Sequence, residues 1–275
     1  MTVVVLHAGE AEATLDPLAG GRIADLRRND VPLLRRLEDS PGTWAFWGSF
    51  PLLPWSNRIP HGTFTFEGEL FHVDVNWPDG SALHGLAATV PWQVDALTAS
   101  TAELSAELAG GPYVVRGRQT FELSSACLVQ TLSVENCGDR RLPFGLGIHP
   151  WFAAGPMRVP AGSLWPSVNA LPTGPAQPVE GADDLRALTI PPPMDQCYTG
   201  LESTEAEVPG VRLSWDGPIT QVVVYTAAEG WGCVEPVTMA NDGFRMLAEG
   251  GEGHGVVPLD PGGSLEVAYS FTFVD

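Results

Sequence analysis

The chain has 275 residues, 44% of them apolar and only 17% charged, which supplies a continuous core and excludes a disordered protein. Fourteen basic residues against 33 acidic ones leave a formal charge of −19, so phosphate backbones and anionic lipid are repelled and neither nucleic acid nor a membrane surface is expected as a partner. Every basic residue is Arg, which removes Schiff-base chemistry and the P-loop lysine from the available mechanisms.

In chain order, residues 1–7 carry no basic n-region, and their apolar run is too short for a signal peptide or a membrane span; a cytoplasmic protein is expected. Thr63-Phe64-Thr65-Phe66, a Glu67-Gly68-Glu69 reversal and Leu70-Phe71-His72-Val73 predict a hairpin, because Gly supplies the positive φ of a tight turn. Residues 99–108 have helical propensity, yet their Thr and Ser content and their place between strand patterns predict a hairpin. Strands are expected at 119–123, 128–135, 211–215 and 221–226. The stretch from Pro156 to Pro193 is Pro-rich and poorly patterned, and is read as a loop excursion over the rim rather than a linker. The last strand is the clearest: Leu265, Val267, Tyr269, Phe271 and Phe273 alternate with smaller or polar residues, giving one buried face.

With 31 Gly and 25 Pro, few windows run long enough for a helix. The expected fold is therefore all-β, a large antiparallel β-sandwich forming a single domain over residues 1–275. Cys127, Cys137, Cys197 and Cys233 show no CxxC spacing, so neither a zinc site nor a disulfide framework is signalled, and buried free thiols are expected.

Three clusters place polar groups inside apolar, turn-rich sequence: Pro54-Trp55-Ser56-Asn57-Arg58-Ile59, Ala82-Leu83-His84-Gly85-Leu86, and Gly145-Leu146-Gly147-Ile148-His149-Pro150-Trp151-Phe152. Aromatic rings beside Arg and His suit a sugar, whose C–H faces stack on rings while its hydroxyls demand fixed donors and acceptors. Histidine suits an acid role because its ordinary pKa near 6.5 lets it give and regain a proton near neutrality.

These clusters belong to an ordered set. Gly20-Gly21-Arg22-Ile23, Asn57-Arg58-Ile59 with Gly62-Thr63-Phe64, His84-Gly85 with Trp92, Ile148-His149-Pro150-Trp151-Phe152, the run from Met194 to Gly200, Cys233-Val234-Glu235-Pro236-Val237-Thr238 and Leu259-Asp260-Pro261-Gly262 follow one another along nearly the whole chain. In that order and spacing the chain resembles the aldose 1-epimerases of the galactose mutarotase-like superfamily, in their bacterial branch. The resemblance implies a β-supersandwich with a sugar cleft, no metal and no organic cofactor. It implies that His149 is the general acid on the ring oxygen and that His84 hydrogen-bonds the sugar near the reacting centre. Arg58 and Asp195 would grip hydroxyls, with Asn57 and Trp92 nearby. The partner so implied is a free monosaccharide.

In the pattern so read, the base is a glutamate directly after the Pro-Gly that opens the last strand, and here that position is Gly263. Three carboxylates are candidates to replace it. Glu235 is expected on a strand lining the cleft, as catalytic base or as a partner that orients an arginine such as Arg58. Asp195 suits a hydroxyl grip better than a base. Glu266 falls on the face opposite Leu265 and would need a bulge to reach the cleft. A chain that kept the cleft and lost the base would be a sugar-binding or regulatory protein. Arg27-Arg28, Arg35-Arg36 and Arg140-Arg141 leave a hexose 6-phosphate open as substrate, although the charge of −19 favours a neutral sugar.

Overall fold

The computed structural model describes residues 3–226 and 230–274; Met1 and Thr2, part of the amino-terminal run read above, lie outside them. The regular structure of the described residues is nearly all strand, with one short α-helix, Gly243–Ala248, and four single-turn 3-10 helices. Two large antiparallel sheets dominate. The first, of eleven strands, runs from Val4–Ala8, Ala11–Asp16 and Arg22–Arg28 through Ser49–Leu52, Gly147–Ala153, Trp231–Val237, Gln221–Thr226 and Asp195–Leu201 to Ala161–Trp165 and Gln177–Pro178, with Val31–Pro32 paired outside this path. The second has seven strands, in the order Gln93–Leu97, Thr101–Gly110, Tyr113–Leu123, Cys127–Asn136, Ser264–Phe273, Val211–Asp216 and Glu205–Val208.

Alternation explains the second sheet. Tyr113–Leu123 and Ser264–Phe273 bury every other residue, so Val115, Phe121, Val267 and Phe271 face inward while their neighbours face water. Those inward residues join Leu6, Leu15 and Leu26 of the first sheet in one hydrophobic cluster, as in a sandwich. Residues 101–110 are the shared arm of two hairpins, reversing at Thr98–Thr101, in keeping with the predicted hairpin. The 63–72 hairpin turns through Glu67 (φ 50°) and Gly68 (φ 82°), the two positive values that a tight right-twisting reversal needs.

Two expectations need correction. The Pro156–Pro193 stretch is more than a rim loop: Ala161–Trp165 pairs with Asp195–Leu201 and so extends the first sheet. Its Pro and Gly residues hid a strand short enough to fit between them. Among the cysteines, all free, only Cys197 and Cys233 are buried; Cys127 is half-buried and Cys137 exposed.

Candidate active site

The central strands of the first sheet set the floor of a cleft. Phe50 stands opposite His149 across one strand pair. Gly147 opposite Val237 and Trp151 opposite Cys233 put His149 opposite Glu235 across the next. Val223 then faces Glu235, and Cys197 faces Val223. One cross-strand row thus carries Phe50, His149, Glu235, Val223 and Cys197 side by side, and the row beside it carries Trp151, Cys233, Tyr225 and Asp195. Directly opposed Cβ atoms lie only about 4.5–5.5 Å apart, so strand register alone brings the imidazole to the carboxyl. His149 Nε2 and Glu235 Oε1 are 3.2 Å apart.

The roof comes from a two-stranded ribbon, Arg58–Pro60 with Ser81–Leu83, whose ends carry Asn57 and His84. Both residues hold left-handed backbone, φ 53° and 60°. In that geometry the His84 amide donates to the Asn57 carbonyl at 2.9 Å, and the Asn57 amide donates to His84 Nδ1 at 3.2 Å. The second bond fixes the tautomer: Nδ1 accepts, so Nε2 carries the proton as a donor. Gly85 follows at φ 75°, where a Cβ would sit 2.0 Å from the Leu53 carbonyl oxygen, so glycine is required. The His84 and His149 rings meet edge to face, with centroids 5.0 Å apart.

His149 is the middle rung of a ladder. Phe50 stacks on one face of its ring at 4.6 Å and Trp151 on the other at 5.5 Å. Buried arginines close both ends, Arg22 lying 5.1 Å from the Phe50 ring and Arg35 5.5 Å from that of Trp151. Arg22 also donates to the carbonyls of Ala19, Trp44, Trp47 and Ala88, tying down the turn that lines the cleft with Ala45 and Phe46.

Burial governs the charges here. It pushes the His149 imidazole down to about 3, helped by the positive charges of Arg22 and Arg58, although a contact with its own backbone opposes the shift. His84 is held well below 6.5 by burial first, then by His149 and Arg58. Glu235 is raised well above the ordinary carboxylate range by burial and by Asp195, with Arg58 opposing, and burial likewise raises Asp195. Burial thus disfavours charge on both partners of the 3.2 Å His149–Glu235 contact.

The resulting cavity, about 120 Å³, is lined by Asn57, Arg58, His84, His149, Asp195 and Glu235 together with aromatic walls. Six residues singled out in sequence thus converge. The seventh does not: the ring of Trp92 packs beneath Gly21 and Gly117, and its indole donates to the Ala87 carbonyl, so it supports the core instead of the cleft. Glu235 does not pair with Arg58, which is held by Asp79 (2.9 Å) and Asn57 (3.2 Å). Gly263 opens a strand of the other sheet, bonded to Asn136 and Asp260, and Glu266 is exposed on that sheet beside Arg116 and Arg118. Neither lines the cleft, so the departure at Gly263 leaves the site with its carboxylate. Sequence reading missed Phe46, Trp77 and Tyr225, walls whose aromatic side chains carry no local signature.

His84, His149 and Glu235 also offer three ligand atoms within 4.8 Å of one another, a two-histidine, one-carboxylate set of a kind that suits zinc.

The family model for aldose 1-epimerase matches residues 2–250. The chain belongs to the aldose 1-epimerase family. Among solved structures, this family member is similar to a putative aldose 1-epimerase from Escherichia coli K12 (25% identity, TM-score 0.88, 99% of each chain). It also shares its fold with a galactose mutarotase-like protein from Clostridium acetobutylicum (20% identity, TM-score 0.85, covering 99% of this chain and 95% of that one). Over 158 residues it is 34% identical to YphB of Escherichia coli K12, a protein itself described as uncharacterized, covering 57% of this chain and 53% of YphB. The chain spans about half the length of the curated relatives it matches.

Proposed function

We propose that this aldose 1-epimerase family member interconverts the α and β anomers of an unphosphorylated aldose by acid–base ring opening. The observation that carries the reading is the 3.2 Å approach of His149 Nε2 to Glu235 Oε1 on the cleft floor, with the Nε2 donor of His84 on a third side. Glu235 takes the proton from the C1 hydroxyl while His149 protonates the ring oxygen; the C1–O5 bond breaks, the aldehyde rotates about C1–C2, and the roles reverse on closure. The pair must hold one proton in total. Carboxylate with imidazolium is the productive form of the pair. His84 steadies the oxygen under attack, while Asn57, Arg58 and Asp195 hold the remaining hydroxyls. Every proton in this route comes from the chain or the sugar.

The charge balance of the cavity supports a neutral substrate. Among the described residues lining it, Arg58 is the single arginine, already engaged by Asp79, and two carboxyl groups stand near it. A phosphate dianion needs a freer cationic grip. Glu235 also removes the reason to read the chain as a binding protein without a base.

Two-dimensional NMR exchange on α- and β-glucose, galactose and xylose, with and without a chelator, tests the reading. Exchange faster than buffer for at least one aldose, equal in the two conditions, is expected. Rates at the buffer value for all three would overturn it.

A further inference from the structure

Asp79 lies outside the inner cavity and holds the arginine that reaches into it. Arg58 lines both the cavity and the space beside it, whereas Asp79 lines only that outer space. Arg58 Nε donates to Asp79 Oδ2 at 2.9 Å, and Arg58 Nη1 donates to Asn57 Oδ1 at 3.2 Å. The Asp79 carboxylate is exposed, yet both of its oxygens are committed, because Oδ1 accepts from the Ser81 amide at 2.9 Å and from the Ser81 hydroxyl. The reversal that carries it is tied down. Gly80 closes a turn by donating to the Trp77 carbonyl at 3.1 Å, and the Asn76 side chain exchanges two hydrogen bonds, 3.0 and 2.7 Å, with the main chain of Leu83. Leu83 directly precedes His84, so the carboxylate, the arginine and the imidazole share one frame.

An exposed ion pair adds little to stability. What this one changes is the charge and the free edge of Arg58. A guanidinium grips a carboxylate or phosphate through parallel N–H pairs, and Asp79 already occupies Nε, which closes the Nε and Nη2 edge to a substrate anion. Asp79 also offsets the charge of the single arginine among the described residues lining the cavity, where Asp195 and Glu235 stand as well. Arg22 and Arg35 make no substitute, since they lie behind Phe50 and Trp151 and do not line the cavity. The N–H groups left at Nη1 and Nη2 suit a neutral hydroxyl, which asks for one donor and brings no charge to balance.

We propose, on the anomer-exchange reading above, that Asp79 is a specificity-determining residue: by holding Arg58 from outside the cavity it restricts exchange to neutral aldoses and turns away the corresponding uronates. Selectivity then comes from a repulsive group set against the wrong substrate as much as from contacts to the right one.

Asp79→Asn tests this, because the amide oxygen still accepts from Ser81 while the amide nitrogen, itself a donor, no longer holds Arg58 Nε. NMR exchange above the buffer rate is measured at pH 7, where uronates are ionised, on glucose with glucuronate and on galactose with galacturonate. In the parent the uronate is expected at least a hundredfold below its hexose in kcat/KM. In Asp79→Asn the two should move in opposite directions, the hexose falling through KM as Arg58 loses its brace and the uronate rising, so that their ratio gains at least tenfold. Asp79→Ala should shift the ratio the same way. A brace with no part in selectivity would lower both sugars together and leave the ratio where it was, which overturns the assignment. A parent that exchanges a uronate within about threefold of its hexose overturns it without any variant. Failure on all four sugars overturns it too, and failure on xylose as well overturns anomer exchange with it.

Discussion

The two sheets teach different lessons. In the seven-stranded sheet, one face meets the core and the other meets water, so Tyr113–Leu123 and Ser264–Phe273 alternate residue by residue. In the cleft strands of the other sheet the pattern is gone: Ser49–Leu52 is buried throughout, and Gly147–Ala153 and Trp231–Val237 are buried at all but one position each. Their second face is roofed by ribbons and loops, and what it buries is polar as well as apolar: Ser49, His149 and Glu235. One sheet is scaffold; the other holds ionisable groups out of water, at a cost in stability that a scaffold does not bear.

The sharpest way to test that contrast is Glu235→Gln. Loss of the base should lower anomer exchange by about 10²–10⁴, measured by NMR. Stability should move the other way, with a pH signature. Because burial raises the Glu235 carboxyl in the folded state, the fold binds its proton more tightly than the unfolded chain does; that stabilising term is full below the ordinary pKa of 4.5 and fades as pH rises. The gain in melting temperature of Glu235→Gln over the parent should therefore be larger at pH 8 than at pH 5. A drop in rate with no such trend would mean that the carboxyl is not held neutral.

Next in size is Gly85→Ala. The added methyl meets the Leu53 carbonyl oxygen and must shift the turn that aims His84. A displacement of about 1 Å can cost on the order of 10²-fold in rate. Exchange should fall by about that much, and far-UV circular dichroism should stay that of the parent.

Legibility divides along the same line. The hairpin at 63–72 and the last strand were readable because half-buried strands show their period. Ser49–Leu52 and Gly147–Ala153 were not, since a strand buried on both faces looks like any apolar run. The site was readable where a polar residue stood out in such a run, as with His149, His84 and Glu235. Trp92 was misplaced because an indole beside a motif carries no sign of which way it faces, and Phe46, Trp77 and Tyr225 were missed for the same reason. Gly263, where the sequence pattern places a glutamate, lies on the other sheet, whereas Glu235, read from its alternation with Cys233 and Val237 as the candidate to replace it, lines the cleft.

The pH profile of exchange gives a smaller but pointed effect. A solvated imidazole would show an inflection near 6.5. With His149 pushed down to about 3 inside its aromatic ladder, its protonation falls far below that range, so the enzymatic rate should show no histidine inflection at pH 6.5. On the acid side activity falls as the second proton goes on, as pH drops toward about 3, and on the alkaline side it falls as the pair gives up its one proton. Over the same interval the unfolded chain binds the histidine proton and the fold does not, so stability declines as pH falls below 6.5. Melting curves at each pH separate the two effects. An inflection at 6.5 in the rate, with an unchanged melting temperature, would count against a buried acid.

The smallest expected effect is the most discriminating between the sheets. Gly263→Glu restores a carboxylate where the sequence pattern placed one, and Glu266→Gln removes the carboxylate that the sequence offered on the strand that follows. If the chemistry lies on the eleven-stranded sheet, both variants should exchange anomers at the parental rate within about twofold, because both positions belong to the other sheet and neither lines the cleft. Gly263 has an ordinary backbone, yet its added Cβ would lie 2.9 Å from the Asp260 carbonyl oxygen, so a modest loss of melting temperature is expected in that variant alone. A rate rise in Gly263→Glu, or a collapse in Glu266→Gln, would move the base off Glu235. It would also break the link between cross-strand register and proton transfer, since that link requires acid and base to stand opposite each other on neighbouring strands.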